Sequence, residues 1–311
     1  MDLLYALVTD YTLRTVALGA ALLGLVGGSL GSYAVLRERS LIGDAVAHAA
    51  LPGIAGAFWL TGSMHPLVLM LGAATTGLAA ALLVEATAHT TRVPYDSALA
   101  LMLSAFFGLG LVLMTYLQQH AGASQAGLDA FFFGQAAALV TRDVYVMAVL
   151  GGIALALMLL FWKELKVLSF DPAFGHSIGL PMRLLNGLLT ALIVVAIVVG
   201  LQTVGVVLMS AVLIAPAAAA RQWTRRLGPM VLLAAGIGAL TGIAGAVVSA
   251  SARGLPTGPT IVLCMGVAVA VSMLFAPERG LVWRSTRRNA APPEPSPPPD
   301  ASSSTSPAPH A

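Results

Sequence analysis

Ser40-Leu41-Ile42-Gly43-Asp44-Ala45-Val46-Ala47-His48-Ala49-Ala50-Leu51-Pro52-Gly53 sets a carboxylate and an imidazole four residues apart inside an otherwise apolar run. On a helix that spacing stacks Asp44 and His48 on one face. A carboxylate oxygen and an imidazole nitrogen converging on one point suit manganese, iron or zinc. Ionisable side chains at membrane depth are costly, which makes them functional candidates. The competing reading is a local hydrogen-bonded pair that only stabilises its helix.

The apolar surroundings of this pair extend over most of the chain. Hydrophobic residues make up 58% and charged residues 9% of the 311, and mean hydropathy is +0.89. Soluble proteins carry roughly a quarter of their residues charged. The chain therefore reads as an all-α, polytopic membrane helical bundle embedded in the lipid bilayer. Long apolar runs occupy roughly residues 15–36, 42–61, 66–88, 96–118, 143–162, 184–203, 205–220, 229–250 and 258–276. Most approach the roughly 20 residues that a helix needs to cross the hydrocarbon core. Nine spans are expected, or eight if the short run at 205–220 joins its predecessor in one broken element. The 32 glycines fit close approach of helices in lipid. A single cysteine, Cys264, excludes an intramolecular disulfide and a cysteine metal cluster.

Charge placement sets the expected orientation. With nine spans and the N-terminus outside, only Arg14, Arg142 and Arg253 of the 16 basic residues fall outside, leaving 13 in cytoplasmic connections. That asymmetry predicts N-out and C-in, and it makes the net charge of +3 a topology signal rather than a nucleic-acid surface. It also puts Asp44 near the cytoplasmic end of the second span. For the pair to lie at mid-membrane, the segment from Arg37 to Gly43 must dip inward. Met1 to Arg14 lacks the features of a cleaved signal peptide and is expected to be retained. Beyond Arg288 the composition turns to Pro, Ser and Ala, dividing the chain into a transmembrane domain over 1–286 and a disordered cytoplasmic tail over 287–311.

The connection from Trp162 to Pro181 carries more than topology. Asp171 followed by Pro172 predicts a helix start, and Gly179 with Pro181 predicts a stop. A rigid cytoplasmic helix there could transmit force from a soluble partner; the plainer reading is a capped connector. Among the other ionisable residues, His65 and His120 fall at extracytoplasmic ends, where they could meet an arriving metal. Glu85 and Asp96 lie near inner ends and are expected to pair with Arg92 or water.

Six blocks, in order, resemble the integral-membrane permeases of ATP-binding-cassette importers for manganese, zinc and iron. They are Gly43 to Gly53, Phe106-Phe107-Gly108-Leu109-Gly110, the pair Gln125 to Asp129 with Phe133 to Ala137, Phe170-Asp171-Pro172, Leu213 to Ala218, and Leu255 to Thr260. The resemblance implies a non-catalytic permease of the bacterial plasma membrane that moves a divalent metal through Asp44 and His48 and holds no tightly bound cofactor. It implies three protein partners: an extracytoplasmic metal-binding protein, a cytoplasmic ATPase and a second permease copy or paralogue. The segment with Asp171, Pro172, Phe174 and Gly179 becomes the coupling helix. The absence of a Gly-x-x-x-x-Gly-Lys-Ser/Thr phosphate loop agrees with a separate ATPase. Two alternatives stay open: a proton-coupled secondary metal transporter and an ABC permease for a metal chelate. Against the first, no Asp or Glu occurs between Asp171 and Glu278 to serve as a proton relay.

Overall fold

A computed structural model describes residues 10–120, 134, 139–251 and 255–276. The proposed tail over 287–311 lies outside the described residues. The apolar runs become α1 (Tyr11–Leu36), α2 (Ile42–Thr61), α3 (Pro66–Thr90), α4 (Tyr95–His120), α5 (Thr141–Leu160), α8 (Met182–Val204), α9 (Val206–Trp223), α10 (Leu227–Ser251) and α11 (Thr257–Phe275). Two short helices, α6 (Trp162–Phe170) and α7 (Pro172–Ser177), lie between α5 and α8.

Eight of the long helices have the length and hydropathy of membrane spans. The exception is α2, in which Asp44 and His48 hold the average down. It is also among the most enclosed helices: Val46, Ala47, Ala50, Leu51 and Ile54 are all fully buried. Protein rather than lipid therefore surrounds most of the span that lipid would accept least.

Small residues set the tightest crossings. Gly24 and Gly28 of α1 face Gly238 and Ala234 of α10 so closely that a Cβ on Gly24 would stand 2.0 Å from the Gly238 carbonyl oxygen. Without a hydrophobic force between helices in lipid, backbone approach of this kind supplies packing energy. One turn further along, α1 meets α9 at Gly31, where a Cβ would stand 1.8 Å from the Leu213 oxygen.

Gly205 decides the span count near 205. It alone separates α8 from α9, with φ at 84°, in the left-handed region that a side chain disfavours. Met209, four residues after it, packs onto Gly200, five residues before it. The two helices thus fold back as a hairpin instead of continuing as one broken element.

Candidate functional site

Asp44 stands in the first turn of α2, where the helix dipole favours a carboxylate. His48 follows one turn later, its Nε2 3.5 Å from Asp44 Oδ1. That separation is too long for a strong hydrogen bond. It matches the edge of about 3.4 Å between two ligands of a tetrahedral ion bound at about 2.1 Å. The His48 ring is held by Phe107 of α4 in an edge contact at 4.8 Å. Its Nδ1 is buried and has no hydrogen-bond partner among the described residues. On the other side, Ser210 of α9 is a polar neighbour of Asp44, and Gly43 admits Ser210 and Leu213 against the backbone.

The depth of the pair follows from its neighbours. Val46 lies between Asp44 and His48, and it meets Gly77 of α3 at a point that Val194 of α8 also touches. Gly77 is 13 residues before Thr90, Val194 is 12 after Met182, and Phe107 is 12 after Tyr95. At 1.5 Å per residue these positions sit about 18–20 Å from the helix ends that share the basic side. The hydrocarbon core is about 30 Å thick. The pair is therefore near mid-depth, and the connection before it dips into the bundle as the mid-membrane reading requires.

The other candidates are elsewhere. His65 caps the start of α3, about 20 Å beyond His48 along α2. Its Nε2 lies 3.1 Å from Arg142 Nη2, so a group with only donors occupies the lone pair that a metal would need. His120 ends α4, and its side chain lies outside the described residues. No group of three or more His, Cys, Asp or Glu side chains suited to a metal occurs among the described residues. Among the described residues, the candidate ligands that a single chain brings together are Asp44 and His48.

The connection after α5 matches its expected caps and adds a helix. Asp171 caps α7, accepting from the Phe174 N–H at 2.9 Å, and Pro172 opens the helix. Gly179 ends the segment at φ 80°. The additional helix is α6, directly before Asp171. Phe170, Phe174 and Ile178, at four-residue intervals, are each more than half exposed.

Glu85 departs from expectation. Its partners are Arg39 at 2.8 Å and His89 at 2.9 Å, rather than Arg92. Arg39 comes from the connection that dips inward, which brings it against the lower part of α3; sequence distance gave no hint of this. The signal available was the polar Glu85 and Asn186, each in an otherwise apolar run.

Residues 9–276 match the ABC 3 transport family. The chain belongs to this family. Over 288 residues, 93% of its length, it is 47% identical to the zinc transport system membrane protein TroC of Treponema pallidum, covering 97% of that protein. Over 269 residues, 86% of its length, it is 46% identical to the manganese transport system membrane protein MntC of Bacillus subtilis, but spans 62% of that longer protein. Among solved structures it resembles PsaBC from Streptococcus pneumoniae, in complex with Fab, with a TM-score of 0.79 and 28% identity over 93% of this chain and 99% of that one. Membership of the ABC 3 transport family makes the chain a multi-pass permease of the bacterial plasma membrane.

Proposed function

We propose that the chain is the membrane subunit of an ABC importer that passes a divalent metal, manganese, zinc or iron, through Asp44 and His48 into the cytoplasm. The observation that carries this reading is the unspent pair. At mid-depth a carboxylate and an imidazole stand 3.5 Å apart without a strong bond between them. Relatives named for zinc and manganese transport support the cargo class.

The Asp44 side chain is 39% exposed. A carboxylate at that depth facing lipid is strongly disfavoured. A second permease, whether a copy or a paralogue, supplies the missing wall and a second Asp44/His48 pair. Two oxygens and two nitrogens then complete the four ligands that zinc commonly takes. Metal arrives from an extracytoplasmic binding protein, and a separate ATPase docks on the segment with Asp171, Pro172, Phe174 and Gly179. The exposed Phe170, Phe174 and Ile178 give that dock its apolar contact. The basic ends of the spans face the cytoplasm.

Reconstituted vesicles holding the permease, its ATPase and its binding protein test the reading. Radiolabelled manganese or zinc should accumulate only with ATP. Accumulation driven by a pH gradient without ATP would instead identify a secondary transporter. Uptake of a chelated metal that survives loss of both Asp44 and His48 would identify a chelate permease.

A further inference from the structure

Arg39 ties together five elements of the permease. Its Nη1 donates to Glu85 Oε2 of α3 at 2.8 Å and to Asn186 Oδ1 of α8 at 3.4 Å. Its guanidinium lies 4.5 Å from the ring centroid of Tyr95, the first residue of α4. Its own N–H donates to the Ala34 oxygen of α1 at 2.9 Å, and its oxygen accepts from the Ile42 N–H that begins α2. The preceding residue, Glu38, has a φ of 55°. For a residue with a Cβ, that conformation is strained and persists where its surroundings over-determine it. The contacts of Arg39 are such surroundings.

The α8 partner leads directly to α7. Asn186 lies one turn after Met182 on the same face of α8. Met182 is pressed into Gly175 of α7, where a Cβ would stand 1.8 Å from the Met182 Cε. The Leu180 N–H also donates to the Gly175 oxygen at 3.1 Å. The short helix and the first turn of α8 are therefore packed as one unit. At the other end of the path, Asp44 follows Arg39 by five residues.

We infer that Arg39 is a positioning residue that carries movement of the α7–α8 unit to the start of α2, changing the setting of Asp44 in step with the ATPase. The inference rests on the metal-import reading above. It assigns the joint to Asn186 against the Arg39–Glu85 pair, with the Tyr95 ring under the guanidinium.

The test uses the full complex in vesicles and compares radiolabelled manganese uptake with ATP hydrolysis for the wild type, Asn186→Ala and Arg39→Lys. Asn186→Ala removes the α8 side chain that meets both Arg39 and Glu85. Arg39→Lys keeps the charge but replaces the planar fork with a point charge, which does not reproduce all three contacts. In both variants uptake per ATP should fall about 2- to 30-fold while hydrolysis stays within about twofold of wild type, the range expected for residues along a coupling path. Manganese bound without nucleotide should be unchanged. An unaltered uptake-to-hydrolysis ratio in both variants, whether the two rates stay normal or fall together, overturns the inference. Wild-type import with such variants overturns this inference alone; a wild-type complex that hydrolyses ATP and accumulates no manganese overturns the import reading and the inference with it.

Discussion

Two ionisable clusters occupy the same apolar bundle and differ in how far their bonding capacity is used. At the basic end, both Glu85 oxygens are engaged, at 2.8 Å by Arg39 and at 2.9 Å by His89. At mid-depth, Asp44 and His48 remain 3.5 Å apart and His48 Nδ1 lacks a partner among the described residues. A satisfied cluster fixes the positions of its helices. An unsatisfied one retains lone pairs for a ligand, and buried polar groups are seldom left in that condition without a functional reason. The contrast separates a saturated cluster from one with free bonding capacity within one membrane domain.

The largest effect tests the unspent pair. Asp44→Ala and His48→Ala should each reduce metal uptake to background in whole cells while expression and assembly with the second permease persist. Substantial uptake by either variant would place the cargo's ligands elsewhere.

Docking should show the next effect. Phe174→Asp sets a charge into an apolar contact, where burial without a partner is unfavourable. The ATPase should then co-purify poorly with a permease that still inserts into the membrane. Normal co-purification together with normal transport would move the dock away from α7.

Stability sharpens the comparison further. Glu85→Gln should lower the permease's unfolding free energy by about 1–2 kcal/mol, since it weakens charge-assisted hydrogen bonds. Asp44→Asn should cost less, because its carboxylate reaches His48 only at 3.5 Å. Thermal unfolding in detergent, followed by tryptophan fluorescence, reads both. A greater loss for Asp44→Asn would erase the distinction between the clusters.

The smallest effect is local. Asp171→Ala removes the side-chain cap of α7, worth about 1 kcal/mol. Hydrogen exchange should quicken for the α7 amides and remain as before in the spans. Unchanged protection of α7 would show that its packing, rather than the Asp171 cap, holds the helix.

Sequence alone determined the features that depend on local pattern. Apolar runs near span length gave nine helices close to their observed limits, because in lipid each helix satisfies its own backbone hydrogen bonds. Asp171, Pro172 and Gly179 marked the ends of the segment around α7 for equally local reasons: a side-chain cap, a fixed φ, and a left-handed residue. The i, i+4 relation of Asp44 and His48 was also legible. Their depth was not, because it depends on Val46 meeting Gly77 and on Phe107 meeting the His48 ring. Sequence favoured the α8–α9 reversal through its nine spans but left one broken element open, a choice that Met209 folding back onto Gly200 decides. Glu85 was expected to pair with Arg92 or water, whereas Arg39, 46 positions away, and His89 are its partners. Tertiary structure decided these points because ion pairing and helix depth depend on separations in space, which chain spacing does not encode.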